Sequence, residues 1–124
     1  MDYRIKAITK FIKENLDSNI SLQELSKIGG QNYSYMSTLF KKETGKTFSE
    51  YLMLFRIRYS KSLLRHSTKE IKEISFLVGY KSVQRFYSNF QKYVGYTPKQ
   101  YRDKFNQYFF MKLNEEFHNN QNDE

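Results

Sequence analysis

Apolar residues recur at helical intervals along this 124-residue chain, from near its start to beyond residue 100. Ile5, Ile8, Phe11, Ile12 and Leu16 form one stripe, with Lys6, Lys10 and Lys13 off it, which predicts a helix over about residues 3–17. Ser21-Leu-Gln-Glu24 has the form of a capping box. A second helix therefore begins near Leu22, with Leu22, Leu25 and Ile28 inward, and Gly29-Gly30 stops it. Asn32 suits the N-cap of a third helix, about residues 33–44, with Met36, Leu39 and Phe40 apolar and Gly45 past its end.

Thr47-Phe-Ser-Glu50 is another capping box and is expected to open the longest helix, about 48–66. Tyr51, Leu52, Phe55, Tyr59, Leu63 and Leu64 supply its apolar face. Ser67 or Thr68 is expected to cap a fifth helix, with Ile71, Ile74 and Val78 inward and Gly79 ending it. Ser82 caps a sixth, about 83–94, built on Phe86, Phe90 and Tyr93. Thr97-Pro98-Lys-Gln100 places Pro at a first helical position and starts a seventh, through Tyr101 and Phe105 and as far as Leu113. No segment alternates with the period of a strand. The expected fold class is all-α, with seven helices.

The chain also repeats itself. Leu22-Gln-Glu-Leu25-Ser26 matches Ile71-Lys-Glu-Ile74-Ser75 at an offset of 49, as Gly30 matches Gly79. After the turn the offset is 50: Asn32 matches Ser82, Met36 matches Phe86, Phe40 matches Phe90, Gly45 matches Gly95 and Thr47 matches Thr97. Each copy is a short helix, a glycine-containing turn and a second helix, the helix-turn-helix pattern. The small Ser26 and Ser75 let the two helices of each copy approach closely. The alternative is a plain αα-hairpin repeat, as in a solenoid. The repeat divides the chain into a first helix-turn-helix subdomain (1–47), a linker helix (48–66), a second subdomain (67–108) and a C-terminal extension (109–124).

Charge weighs between these alternatives. The whole chain carries +8, but its last eleven residues hold four acids and no Lys or Arg. Residues 1–113 hold 21 bases against 9 acids, a net +12. A basic body with only two copies and a long helix between them points to DNA rather than to a solenoid. The linker, about 19 residues at roughly 1.5 Å each, is about 28 Å long. Successive major grooves on one face of DNA lie about 34 Å apart, so two reading helices fit one turn apart. The polar, Asn-rich tail is expected to be a disordered end or an ordered extension.

Composition excludes other classes. With no Cys there is no disulfide framework, thiolate zinc site or cysteine nucleophile, which suits a reducing compartment. A mean hydropathy of −0.79 and the lack of a long apolar run exclude a transmembrane helix. MDYRIKAITK holds no signal-peptide pattern. His66 and His118 are far apart in sequence, and only the pair Glu115 and His118 has a helically plausible ligand spacing. No phosphate loop, nucleophile elbow or paired-carboxylate motif is present. The expectation is a non-enzyme without cofactor or metal, in the cytoplasm and not on a membrane.

From Ile8 to Arg102 the chain resembles the DNA-binding domain of the AraC/XylS family of bacterial transcription regulators. The resemblance rests first on Leu22-x-x-Leu25-Ser26, on Tyr35-Met36-Ser37-x-x-Phe40-Lys41-Lys42-x-x-Gly45 and on Phe48-x-x-Tyr51-Leu52. Arg56-Ile57-x-x-Ser60-x-x-Leu63-Leu64 in the linker also fits. The more specific part is Ile71-x-x-Ile74-Ser75-x-x-Val78-Gly79-Tyr80, followed by Phe86-x-x-x-Phe90-x-Lys92-x-x-Gly95-x-Thr97-Pro98-x-x-Tyr101-Arg102. Ser26, Ser60 and Ser75 depart from the Ala usual in the family, small for small.

The resemblance implies two helix-turn-helix units that read successive major grooves. Carried onto this chain, the first reading helix offers Ser34, Ser37 and Thr38, with Lys41 beside them, and the second Val83, Gln84, Arg85 and Ser88. The helical wheel agrees, because Met36, Leu39 and Phe40, and likewise Phe86 and Phe90, turn the other way. Arg85 suits a bidentate contact to guanine and Gln84 one to adenine, each worth about 1–3 kcal/mol of discrimination; Val83 suits a thymine methyl. The Ser and Thr of the first helix discriminate less, so the second unit is expected to carry more base specificity.

Lys41, Lys42, Lys81, Lys92 and Lys99, with the helix N-termini capped by Asn32 and Ser82, are placed for phosphates. Tyr35 and Tyr87 are expected to pack, and Arg56 and Arg58 to be intramolecular or solvated. The expected partners are double-stranded DNA and RNA polymerase. Family members usually carry this domain behind a sensor or receiver domain, so the chain is read either as a stand-alone regulator or as a piece of a larger one. The competing function is a protein-interaction module that contacts polymerase or another regulator without reading DNA itself.

Overall fold

The structure, a computed structural model, describes residues 1–122. They form seven helices and no strand: α1 (Tyr3–Glu14), α2 (Leu22–Ile28), α3 (Tyr33–Thr44), α4 (Phe48–His66), α5 (Ile71–Leu77), α6 (Val83–Val94) and α7 (Pro98–Asn122). Of the four acids in the tail, Asp123 and Glu124 lie outside the described residues.

Local chemistry sets most helix starts. Asn32 Oδ1 accepts from the Tyr35 N–H at 2.9 Å, and Ser82 Oγ from the Arg85 N–H at 3.3 Å. At Thr47 both halves of the box form: Thr47 Oγ1 accepts from the Glu50 N–H, and Glu50 Oε2 accepts from the Thr47 N–H. Thr97 and Gln100 make the same reciprocal pair. The box expected at Ser21 is half made, since Ser21 Oγ accepts from the Glu24 N–H but no return bond from the Glu24 side chain forms among the described residues. Gly45 and Gly95 end α3 and α6 in the left-handed region, at φ 77° and 86°.

One start and two ends differ from expectation: α7 runs to Asn122 rather than stopping by Leu113, which makes it, and not α4, the longest helix of the described residues. Neither Ser67 nor Thr68 caps α5, whose N-cap is Glu70 without a side-chain cap bond. Ser67 serves the preceding helix instead, its N–H and its hydroxyl both donating to the Leu63 carbonyl. Helix α1 stops at Glu14 rather than near residue 17, because Asn15 turns back on it: Asn15 N–H donates to the Ile12 carbonyl and Nδ2 to that of Phe11.

Two cores result. Ile5, Ile12, Met36, Phe40 and Leu52 fill the first, and Ile57, Leu64, Ile74, Val78, Tyr80, Phe86 and Phe90 the second. Helix α4 contributes to both. Ile28 is not inward: it sits at the last turn of α2, 83% exposed. Phe11, Tyr59 and Tyr93 are exposed as well, at the rims of their apolar stripes.

The two halves share a fastening. Arg56 Nε donates to the Leu16 carbonyl at 2.9 Å and its Nη2 to that of Ser18 at 3.0 Å. Arg102 does the same one unit later, to the carbonyls of Leu64 and Ser67 at 3.1 and 3.2 Å. Each arginine ties down the chain leaving the C-terminal end of its unit's leading helix, where backbone acceptors lack helical partners.

Candidate nucleic-acid interface

Helices α3 and α6 occupy equivalent places in the two units, each beginning after a turn and each held by a side-chain cap. Between them lies an open cleft of about 1400 Å³. Its wall includes Tyr33 and Ser37 from α3, and Ser82, Arg85, Asn89 and Lys92 from α6 or its cap. Arg56 and Met53 of α4 also line it. Lys81, Arg85, Lys92 and Arg56 outnumber the carboxylates on the wall, Asp17 and Glu50. The cleft is thus a basic concavity bordered by both second helices.

Of the candidate residues, Ser37, Lys81, Ser82, Arg85 and Lys92 come together in this cleft. Ser34, Thr38, Gln84 and Ser88 do not line it but are exposed on the same two helices. Val83 is partly buried. Asn32, Lys41, Lys42 and Lys99 are exposed and also stand outside the cleft wall.

Several polar groups already have partners. Thr38 Oγ1 donates back to the Ser34 carbonyl at 3.1 Å, which leaves it only its acceptor capacity for a base. Ser82 Oγ donates to Gln84 Oε1 at 3.0 Å while accepting the cap bond. Gln84 keeps its NH2 free, but bidentate pairing with adenine requires that bond to Ser82 to break. Among the described residues no carboxylate pairs with Arg85, so its planar fork of donors is available.

Sequence reasoning missed Asn89 and Tyr33. Asn89 Nδ2 donates to the Tyr80 hydroxyl at 3.1 Å, which fixes the amide at the cleft wall. Tyr80 is buried, and desolvation pushes its phenol up from its ordinary value against the opposing effects of that bond and of Arg56. Ser82, Arg85, Asn89 and Lys92 follow 3-4-3 spacing, so a search for polar as well as apolar stripes would have found Asn89. Tyr33 and Ser37 are likewise four residues apart.

The remaining expectations divide by geometry. Arg56 is intramolecular, and burial lowers its pKa. Arg58 lies over the Phe55 ring at 5.1 Å. Tyr87 packs on the second core, whereas Tyr35 is exposed and carries Arg4 over its ring at 5.3 Å. Among the described residues no group of three His, Cys, Asp or Glu side chains could hold a metal, and no helix is long and apolar enough to cross a membrane.

A family model described as a helix-turn-helix domain matches residues 25–104. The melibiose operon regulatory protein of Escherichia coli K12 is 32% identical over 100 residues, covering 81% of this chain. The chain spans 33% of that relative's length. Its fold is similar to the C-terminal domain of AraT, a response regulator from Geobacillus stearothermophilus (TM-score 0.80, 25% identity, 83% of this chain and 86% of that one). It is also similar to the DNA-binding domain of AdpA, a global transcriptional factor solved with a target DNA (TM-score 0.78, 82% and 91% covered). At 19% identity, that last likeness concerns the fold alone.

Proposed function

Since this chain belongs to the AraC/XylS family of DNA-binding transcription regulators, we propose that it binds double-stranded DNA with α3 and α6 in successive major grooves on one face. The observation that carries this reading is the basic cleft bordered by both helices, with α4 as the spacer between them. In this reading residues 1–47 and 67–108 act as the two reading units, 48–66 as the rod and 109–124 as an appendage.

Arg85 is the principal base reader, its guanidinium free to pair with guanine O6 and N7. Gln84 reads adenine after releasing Ser82, and Val83 and Ser88 complete the second reading surface. Ser34, Ser37 and Thr38 make permissive contacts in the other groove. Lys41, Lys42, Lys81, Lys92 and Lys99 take phosphates, together with the N-termini of α3 and α6 beyond Asn32 and Ser82. Bound in this way the chain regulates transcription in the bacterial cytoplasm, through contact with RNA polymerase and under control of a sensor or receiver domain. It does so without catalysis.

Selection of bound sequences from a random DNA pool tests the reading. A bipartite motif with halves one helical turn apart is expected. Arg85→Ala should weaken binding to the selected site by about 1–3 kcal/mol and relax one base position. Equal loss on selected and random DNA would remove Arg85 from base reading, and no enrichment at all would favour a module that contacts proteins instead.

A further inference from the structure

Position 89 breaks the repeat. At the offset of 50 that relates the two reading helices its counterpart is Leu39, which packs on the first core. The second unit places an amide there instead, half-buried and on the wall of the cleft. An amide contributes less to a core than a leucine does, so packing does not explain the exchange. The tether that holds it is confined to the second unit as well. Asn89 Nδ2 donates to the Tyr80 hydroxyl at 3.1 Å. Gln31, the counterpart of Tyr80 at the offset of 49, accepts from Arg4 at 2.9 Å instead.

Tyr80 is a firm anchor for that amide. Its ring is buried, 5.4 Å from that of Phe86, and the Arg56 guanidinium lies over it at 5.9 Å. Arg56 is itself bonded to the carbonyls of Leu16 and Ser18. The phenol oxygen is therefore held in place, and the amide bonded to it has lost its rotamer freedom before any ligand arrives. One of the two Nδ2 protons is used. The other proton and Oδ1 have no partner among the described residues. What is left is one donor beside one acceptor. That pattern matches N7 and the N6 amino group of adenine; a phosphate, which only accepts, suits it less well. Direction agrees. At 3.6 residues per turn, Asn89 lies about 40° from Arg85 around α6, whereas Gln84 lies about 100° from it.

We propose that Asn89 is a base-reading residue of α6, pairing with adenine in the groove that Arg85 enters, and that Tyr80 is the positioning residue that presents its amide. The inference rests on the DNA-binding reading above and adds a specificity residue to it. Asn89 follows Arg85 by about 6 Å along the helix, so its adenine stands within about two base pairs of the guanine that Arg85 reads. Tyr80 touches no DNA and acts through Asn89. Gln84 must first release Ser82, whereas Asn89 needs no rearrangement.

Selection from a random DNA pool by the wild type, Asn89→Ala, Tyr80→Phe and the double variant tests this, with affinities then measured on the wild-type site. Asn89→Ala should lose about tenfold on that site and relax one A·T position, with the position read by Arg85 unchanged. Tyr80→Phe keeps the ring and its packing. It should weaken the preference at the same A·T position about threefold and cost nothing further in the Asn89→Ala chain. A Tyr80→Phe loss that persists in the double variant, or that falls equally on all sequences, removes Tyr80 as the positioning residue. Uniform loss for Asn89→Ala on selected and random DNA would make the amide a phosphate contact, and an unchanged motif would leave it a structural partner of Tyr80; either overturns the proposal. A wild type that enriches no sequence overturns the DNA reading itself, and only in that case does this inference fall together with it rather than alone.

Discussion

The guanidinium of Arg56 fills the space that a side chain on Gly79 would need. A Cβ there would stand 2.6 Å from Arg56 Nε and would overlap the Leu16 carbonyl oxygen. Three segments meet at this point: the exit from α1, the middle of α4 and the turn between α5 and α6. The contact joins the first unit to the turn that precedes α6, so it sets how the two units sit against each other.

Gly79→Ala should therefore cost about 3 kcal/mol or more, combining a backbone at φ 105° with a collision on the Leu16 backbone carbonyl, which cannot step aside as the Arg56 side chain can. Gly45→Ala is the control. Its φ is also positive, at 77°, but a Cβ there meets open space, so about 1 kcal/mol is expected. Urea unfolding of both variants measures the difference; similar costs would show that the close approach at Gly79 adds nothing.

Ser26 and Ser75 hold matching positions in the repeat and are both buried, yet their hydroxyls fare differently. Ser75 Oγ donates to the Lys72 carbonyl at 2.6 Å, while Ser26 Oγ has no partner among the described residues. Ser26→Ala should leave stability unchanged or raise it by about 1 kcal/mol, and Ser75→Ala should lower it by about 0.5–1.5 kcal/mol. Thermal unfolding of the pair decides; equal losses would mean that both hydroxyls are bonded in solution.

Asp2 caps α1 and pairs with Arg4 at 2.9 Å, and that bond holds its carboxyl down at about 2 from an ordinary 3.8. The folded form thus favours the ionised carboxylate. Its stabilising effect is present in full above the ordinary value and is lost as pH falls through about 2. Asp2→Asn keeps a capping side chain but removes the charge. The stability gap between wild type and variant should stay constant at neutral pH and close between about 4 and 2. A gap that ignores acid would mean the charge contributes nothing.

If the lysines around the reading helices bind phosphates, DNA affinity should fall steeply with salt, with a slope of about −5 for six contacts. Lys81→Gln and Lys92→Gln should each make the slope shallower by about 1 and weaken all DNA sequences alike. Titrations at several salt concentrations test each residue, and an unchanged slope would return that lysine to the solvated surface.

The sequence disclosed what is local. Caps at Asn32, Thr47, Ser82 and Thr97 need only neighbours within a turn, and all four formed. Period alone cannot show where a neighbouring helix ends, which is why Ile28 faces solvent while Leu22, on the same stripe, is buried. Ser67 looked like a start because it resembles a cap, but it had been taken by the end of α4. The polar tail is expected to be a disordered end or an ordered extension, and its described part is the second. It continues α7 to Asn122, since after Pro98 no Gly or Pro interrupts it. Arg85 is singled out by the family resemblance and lines the cleft, whereas Asn89 becomes visible only when its tether to Tyr80 places it there.

Helix α4 lends Leu52 to one core and Ile57 and Leu64 to the other. Each half is about the size at which a domain is marginal alone, so neither can open while the other keeps this helix intact. The expected result is one cooperative folding unit. Amide protons in the middle of α4 should exchange only through global unfolding, while those in the outer turns of α7 exchange freely.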